Sequence, residues 1–195
     1  MLYDRDIREP LFEFLEGAYG KIRIIEEKRV GRSRADIVMV LPGLLAGIEI
    51  KSDADTYARL GRQVKDYDRY FDRNIVAVGS SHAVHVKEHV PEWWGIITVE
   101  QADTGVDFYV LREPKDNPKR NWKRKMSLLW RPELAHIQEM TRMARYREKS
   151  KAFVIDKILL KVPAQELSIL VSEELFERDY TKIEDIIREY KRKKK

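Results

Sequence analysis

The chain has 195 residues, of which 43% are hydrophobic and 36% charged, with a net charge of +5 and no cysteine. This composition supports a globular protein with a real core and excludes disulfides and thiolate metal sites. The N-terminus is polar and no run approaches the roughly 20 apolar residues of a membrane span, so we expect a cytoplasmic protein without membrane association.

The first part of the chain begins with a helix and continues with three short strands. Apolar residues recur at helical spacing over Asp4–Ala18, which predicts the helix. Alternation and buried-type runs predict the strands, and Pro42-Gly43 marks a tight turn between the second and the third. These strands are Lys21–Glu26, Arg34–Leu41 and Leu45–Lys51.

A second helix follows over Asp55–Phe71, and three more strands are predicted at Asn74–Gly79, Ile96–Val99 and Val106–Leu111. The chain then changes character near residue 113. We expect an α/β domain over 1–113, a basic linker over 114–130 and a helical extension with a basic tail over 131–195. The helices predicted in the extension are Pro132–Arg147, Lys151–Leu160, Pro163–Phe176 and Ile183–Lys193.

Two acids and a lysine stand out on neighbouring strands. Asp36 lies in one strand and Glu49 in the next, and a tight turn between them makes the strands antiparallel, so their side chains can meet. Two converging carboxylates make a hard oxygen site for Mg²⁺ or Mn²⁺. Lys51 projects to the same side as Glu49, where it can stabilise charge on a phosphodiester under attack. The structural alternative is a surface ion pair beside an acid at a strand end.

These residues resemble the PD-(D/E)XK nuclease superfamily. The predicted order helix, three strands, helix, strand over residues 4–79 looks like its restriction-endonuclease-like αβββαβ core with a mixed sheet. The superfamily's first motif acid falls on Asp36, with Ala35 where many members have proline. Its (D/E)XK motif falls on Glu49-Ile50-Lys51, and a Gln-x-x-x-Tyr motif falls on Gln63 and Tyr67.

The resemblance implies further roles. The backbone carbonyl of Ile50 would be a metal ligand, and an acid on the first helix, Asp6 or Glu9, would complete the shell. Glu26 at the end of the first strand is another candidate. Gln63 is predicted to hydrogen-bond the attacking water or a phosphate, although it can equally be structural, and Tyr67 is expected to support the site from the core.

A closer likeness extends over about residues 4–100. The motifs Asp6-Ile7-Arg8 and Arg34-x-Asp36, the stretch GIEIKSDADTYARLGRQVKDYDRYFD and the later PEWWG resemble a small family of bacterial and phage proteins assigned to this superfamily. The likeness supplies no substrate, so function has to be argued from the site.

Basic residues are clustered after residue 114. Clustered lysine and arginine bind phosphate backbones, which suggests nucleic-acid contacts, although a solvated linker fits equally well. Arg34 precedes Asp36 by two positions, where phosphate contact and charge balance are equally plausible. The residues predicted to bind nucleic acid are Arg34, Lys119, Arg120, Lys123, Arg124 and Lys125.

The sequence therefore predicts a Mg²⁺- or Mn²⁺-dependent hydrolase that cleaves nucleic-acid phosphodiesters, with DNA favoured over RNA by the resemblance. One alternative is a nucleic-acid-binding or assembly protein whose nuclease fold is catalytically silent. Another is a small-molecule phosphodiesterase or an RNase. The sequence leaves a homodimer open.

Overall fold

The protein is represented by a computed structural model, and the structure described is that of residues 1–179. The predicted helix Ile183–Lys193 and the basic tail lie outside these residues. Six strands and six α-helices of the described chain follow in the order α1, β1, β2, β3, α2, β4, β5, β6, α3, α4, α5, α6. Their bounds are α1 Asp4–Tyr19, β1 Arg23–Val30, β2 Ser33–Leu41, β3 Leu44–Lys51, α2 Leu60–Tyr70, β4 Arg73–Gly79, β5 Gly95–Gln101, β6 Val106–Arg112, α3 Trp122–Met126, α4 Arg131–Met140, α5 Lys151–Lys161 and α6 Ala164–Phe176.

The strands form one mixed sheet in the order β1-β2-β3-β4-β5-β6. The pairs β1/β2, β2/β3 and β5/β6 are antiparallel, whereas β3/β4 and β4/β5 are parallel. A parallel neighbour requires a crossover, and α2 supplies it between β3 and β4. The predicted α/β fold, with an αβββαβ core and a mixed sheet, is confirmed.

Helices cover both faces of the sheet. Helix α1 packs one face through Ile7, Leu11 and Leu15, each completely buried. Burying a side chain of this size stabilises the fold by about 1.5–3 kcal/mol. Pro10 lies within α1 without ending it.

The other face is covered by α2 and by the C-terminal helices. Leu134, Val154 and Leu175 belong to the same buried cluster as Val38 of β2 and Tyr67 of α2. The predicted helical extension is therefore present up to residue 179 and packs directly on the sheet. Whether it is a separate domain stays a prediction. None of the helices within residues 1–179 is long and apolar enough to cross a membrane.

The segment 114–130 differs from the exposed basic linker that the sequence predicts. Asn117 is buried and its side-chain amide donates to the backbone carbonyls of Asp68 and Phe71, at 2.8 and 2.7 Å. Helix α3 forms within the segment, with the Asn121 side chain accepting from Arg124 N at 3.1 Å. The long-range bonds of Asn117 and the local cap at Asn121 together order a segment that is polar by composition.

Two predicted helices have different ends in the structure. The helix predicted to reach Arg147 stops at Met140, because the Thr141 hydroxyl bonds Ile137 O at 2.7 Å and Arg142 has a φ of 52°. The helix predicted from Asp55 starts at Leu60 after a 3₁₀ turn over Tyr57–Arg59. There the Asp55 carboxylate accepts from Ser52 N at 2.9 Å instead of continuing a helix.

Strand β1 runs four residues past the predicted end at Glu26. Glu27 within it has a φ of 54°, a conformation that residues other than glycine rarely adopt. Ile25 and Val30, on either side of this residue, belong to the same buried cluster. In a regular strand, an odd-numbered and an even-numbered residue would point to opposite faces of the sheet. The unusual backbone at Glu27 therefore reverses which side chains of β1 point inwards, opposite the position of Asp36 in β2.

Candidate functional site

A cleft of about 510 Å³ opens where β2 and β3 separate, beside the first turn of α2. The last paired residues there are Ile37 and Ile48, and the next step of this register places Asp36 opposite Glu49. The backbone ladder is not continued at this step. Instead, the Asp36 side chain accepts a hydrogen bond from Ile50 N at 2.9 Å. Both carboxylates line the cleft, as the sequence predicts.

Glu49 and Lys51 are buried side by side on β3. Their exposed fractions are 1% and 3%, and Lys51 Nζ lies 2.9 Å from Glu49 Oε1. The two-residue spacing puts both on the face of the sheet that α2 covers. A buried lysine and a buried carboxylate satisfy each other, so the structural alternative of an exposed surface ion pair is wrong.

Helix α2 supplies two further side chains to Glu49. The Tyr67 hydroxyl donates to Glu49 Oε2 at 2.6 Å and accepts from Asp36 N at 3.2 Å. The Gln63 amide group donates to Glu49 Oε1. The helix approaches this closely because Gly47 has no side chain: a Cβ there would meet Phe71 at 2.2 Å and Tyr67 at 2.8 Å.

One polar atom of this group has no partner. Gln63 Oε1 is buried and makes no hydrogen bond, while its own amide nitrogen is engaged with Glu49. A buried acceptor left unbonded costs about 1–3 kcal/mol, so such an atom calls for a partner. Because Gln63 lines the cleft, a donor arriving in the cleft can bond to it.

The electrostatics of the cleft favour a cation. Burial, followed by the neighbouring charge of Glu49, raises the pKa of Asp36 from 3.8 to about 7, and the bond from Ile50 N only partly offsets this. Burial and the same two acids raise the pKa of Tyr67 well above 10, which keeps its hydroxyl protonated as a donor. Lys51 pairs with Glu49 and Arg8 partly offsets the raised pKa of Asp36, and a divalent ion between the two carboxylates would relieve their mutual repulsion.

The donors present suit a small hard cation with an incomplete protein shell. Asp36, Glu49 and Ile50 all line the cleft. No group of three or more histidine or acidic side chains among residues 1–179 is arranged to hold a metal by itself. Mg²⁺ fits such a site because it commonly takes one or two carboxylates and completes its shell with water and phosphate oxygens.

Asp6, Glu9 and Glu26, the candidates for a third acidic ligand, do not line the cleft, so that role stays a prediction. Asp6 caps the start of α1 by accepting from Tyr3 N at 2.9 Å. Glu26 contacts Arg8 at 3.5 Å. The other acids that line the cleft are instead Asp4, Glu27 and Asp55. The spacing within α1 did not reveal which face would turn to the cleft.

Arginines surround the cleft. Arg34 lines it and pairs with Glu27, and its predicted contact with phosphate stays a prediction. The sequence reasoning missed four more, which are Arg8, Arg32, Arg59 and Arg62. A signal existed for the last two, because Arg59 and Arg62 are spaced one helical turn apart immediately before Gln63.

The predicted basic cluster lies elsewhere. Asn121 N donates to Arg69 O at 3.0 Å, which puts the start of α3 at the end of α2 that is remote from Gln63. Lys125 is completely buried, with Nζ 2.7 Å from Asp72 Oδ2, and Arg120 also pairs with Asp72. The predicted role of Lys125 as a phosphate contact is therefore wrong, whereas for Arg120, whose side chain is 30% exposed, it stays a prediction.

The other members of that cluster have individual partners or exposure. Lys119 Nζ lies 4.8 Å from the centre of the Trp93 ring, and Lys123 Nζ is 2.7 Å from Asp156. Arg124 is exposed at the surface of α3. A contact of these three residues with nucleic acid stays a prediction.

Comparisons with known proteins identify a family model that spans nearly the whole chain and relatives that cover part of it. The sequence model of a family described as "Bacteriophage P4 protein cII" matches residues 2–195. Protein cII of Enterobacteria phage P4 is 26% identical over 117 residues, which are 58% of this chain and 44% of that protein. The match thus spans less than half of the relative's length. Among solved structures, Pyrococcus furiosus SfsA in complex with Ca²⁺ is 18% identical, with 57% of this chain and 61% of that chain covered at a TM-score of 0.31.

Proposed function

We propose that this chain, which belongs to the bacteriophage P4 protein cII family, is a divalent-metal-dependent nuclease of the PD-(D/E)XK type. The observation that carries the proposal is the pairing of Asp36 and Glu49 in one cleft, where burial and mutual repulsion raise the pKa of Asp36 to about 7. Carboxylates whose pKa is strongly raised by burial and repulsion are concentrated at functional sites. Lys51, 2.9 Å from Glu49, places a cation beside them.

The residues divide the work as follows. Mg²⁺ or Mn²⁺, held by Asp36, Glu49 and the backbone carbonyl of Ile50, would supply a Lewis acid for a phosphate oxygen and an acidified water. Lys51 holds positive charge where negative charge grows on the phosphoryl oxygens, and its burial makes that charge more effective.

Gln63 and Tyr67 position the groups that react. The free Oε1 of Gln63 can accept a hydrogen bond from the attacking water, while its nitrogen stays bound to Glu49. Tyr67 fixes both strands at once, by its bond to Glu49 and by the bond it accepts from Asp36 N. Groups held in place by such partners lose little freedom when a substrate arrives.

The cleft favours a polymeric phosphodiester over a small one. It is open to solvent, and five arginines line it around the acids. Positive charge around a site that must admit an anion raises the local concentration of the substrate. DNA is preferred over RNA through the superfamily resemblance.

A cleavage panel tests the proposal. Single-stranded, double-stranded and branched DNA and RNA are incubated with Mg²⁺, Mn²⁺ or EDTA, using the wild type, Glu49→Gln and the matched control Glu100→Gln, whose side chain is exposed on β5. We expect metal-dependent cleavage in the wild type and the control, and loss of at least about 10²-fold in Glu49→Gln.

The same panel separates the alternatives. Nucleic-acid binding without cleavage under any metal would establish a silent nuclease fold and overturn the proposal. Turnover of cyclic or mononucleotides without cleavage of polymers would favour a small-molecule phosphodiesterase. Cleavage confined to RNA would keep the metal site and change the substrate.

A further inference from the structure

The exposed face of α2 is uniformly basic. Arg62, Lys65 and Arg69 are all exposed and lie at i, i+3 and i+7, which places them on one side of the helix. The opposite side carries the buried Leu60, Val64 and Tyr67. The helix thus presents a row of three cations directed away from the core.

The acids of α2 do not neutralise this row, because they point into the protein. Asp66 is buried and accepts from the Ser33 hydroxyl at 2.7 Å. Asp68 is buried and accepts from Trp94 Nε1 at 2.8 Å. A charged helix face ordinarily mixes both signs, whereas here the acids serve internal hydrogen bonds.

The row connects two regions of the protein that are otherwise separate. At one end, Arg59 and Arg62 line the cleft that holds Asp36 and Glu49. At the other end, the bond from Asn121 N to Arg69 O brings α3 alongside, and Arg124 is exposed there. We call Arg59, Arg62, Lys65, Arg69 and Arg124 the basic track.

Helix stability does not explain the cation at the start of the track, whereas Arg69 lies in the last turn, where a cation is favoured. The first turn of α2 contains no acidic residue, although acids are favoured there, and it carries Arg62 instead. A cation in the first turn opposes the helix dipole and costs about 0.3–1 kcal/mol. Positive side chains retained at an unfavourable position indicate an external anion.

We propose that the basic track binds the phosphate backbone of the nucleic acid whose scissile phosphate lies in the cleft. The inference rests on the proposed function for the position of the scissile phosphate. The 11 residues of α2 extend over roughly 15 Å at 1.5 Å per residue, which corresponds to about 4–5 base pairs at 3.4 Å each.

The track reads the backbone and not the bases. The exposed residues of α2 are basic apart from Gly61, and none is aromatic. Strand-binding surfaces that stack bases use exposed aromatic rings. Contact through phosphates alone is independent of base sequence and strongly dependent on salt.

Salt dependence of binding provides the test. The triple variant Arg62→Gln/Lys65→Gln/Arg69→Gln is compared with the control Lys21→Gln/Lys87→Gln/Lys161→Gln, which removes the same charge from exposed positions outside the track. Glutamine matches lysine and arginine in helix propensity, and circular dichroism verifies folding. Affinity for a 20-base-pair duplex of arbitrary sequence is measured by fluorescence anisotropy in EDTA between 50 and 200 mM salt.

The expected change is specific. The α2 variant lowers the slope of log affinity against log salt by about 3, since each lost phosphate contact removes about 0.9, and binds more than about tenfold more weakly at 100 mM salt. The control triple changes the slope by less than 1. The single variant Lys65→Gln lowers the slope of log affinity against log salt by about 1.

Two results would overturn the track: an unchanged slope in the α2 variant, or an equal change in both triple variants. The outcome is independent of the nuclease proposal. Absence of cleavage under every metal, with the slope change present, would reject the nuclease and keep the track. Cleavage without the slope change would reject the track and keep the nuclease.

Discussion

Helix α2 has a buried carboxylate cluster at each end, and the two clusters differ in charge balance. At the remote end, Asp72 is paired with both Lys125 and Arg120 and accepts from Leu45 N at 2.7 Å. At the cleft, buried Lys51 pairs with Glu49, whereas Asp36 is attracted by Arg8 and repelled by Glu49 and Asp4. In one cluster a single acid faces two cations, whereas in the other two acids repel each other.

The difference shows how a structural ion cluster is distinguished from a candidate ion-binding site. Asp72 is 5% exposed and its charge is fully compensated inside the protein. Asp36 is half-buried beside an open cleft, and its charge is opposed by Glu49. An ion cluster that is complete in itself serves the fold, whereas one that lacks a cation is suited to bind one.

The remote cluster predicts the largest stability effect. Lys125→Met leaves Asp72 buried with one cation fewer, and we expect a loss of about 3–5 kcal/mol in the free energy of unfolding, with unchanged cleavage by the folded fraction. Urea denaturation provides the measurement. The control Lys123→Met removes a half-exposed pair with Asp156 and costs at most about 1 kcal/mol. Equal losses in the two variants would contradict the structural assignment of Asp72.

The cleft cluster predicts the opposite pattern for Lys51. Lys51→Met removes the charge that we propose stabilises the phosphoryl oxygens, and we expect cleavage to fall by about 10²–10³-fold. Metal affinity is retained or raised, because a cation that competes for Glu49 Oε1 is lost. Single-turnover cleavage and titration calorimetry measure the two quantities. Metal binding lost together with cleavage would show that Lys51 supports the fold of the site and not the reaction.

Two tyrosines on α2 distinguish support of the cleft from support of the fold, with smaller expected effects. Tyr67→Phe removes the donor to Glu49 Oε2, a bond to a charged group, and we expect destabilisation by about 1.5–3 kcal/mol together with slower cleavage. Tyr70→Phe removes the acceptor for Gly31 N, a neutral bond at 3.1 Å, and is expected to cost about 0.5–1.5 kcal/mol without affecting cleavage. A rate unchanged in Tyr67→Phe would exclude its support of Glu49.

The pH dependence provides the smallest effect. Asp36 must lose its proton to bind a cation, so Mg²⁺ affinity falls by about tenfold per pH unit below about 7 and binding releases a proton. In the metal-free protein the folded-state pKa lies above the unfolded one. The contribution of Asp36 to the stability of the fold is therefore present in full below pH 3.8. It is lost as the pH rises to about 7.

Calorimetry in two buffers of different ionisation enthalpy counts the released proton, and thermal unfolding across this pH range follows the stability. Asp36→Asn abolishes both dependences. A Mg²⁺ affinity that is constant from pH 5 to pH 8 would contradict the raised pKa of Asp36.

Much of the fold followed from local patterns. The alternation in Leu45–Lys51 and the turn at Pro42-Gly43 predict the β2–β3 hairpin, and Gly43 indeed has a φ of 71°. The order of helices and strands through β6 was predicted from the same periodicities. The convergence of Asp36, Glu49, Lys51 and Gln63 was predicted from two-residue spacing together with the superfamily resemblance.

Other features could not be predicted from neighbours in sequence. Lys125 and Arg120 look like any basic cluster until Asp72, about 50 residues earlier in the chain, is brought against them. Likewise, the choice of Asp4 over Asp6 at the cleft depends on how α1 is rotated on the sheet. Spacing within a helix gives relative directions only, because packing sets the absolute rotation.

The sequence by itself determined the sheet, the helices and the carboxylates that share a strand pair, because hydrophobic period and turn chemistry are local properties. The tertiary structure decided which charges are compensated. Burial and the proximity of distant residues set the electrostatic free energy of each carboxylate, and these depend on the whole arrangement of the chain. For this reason Asp72 and Asp36, both acids beside α2, differ in what they can bind.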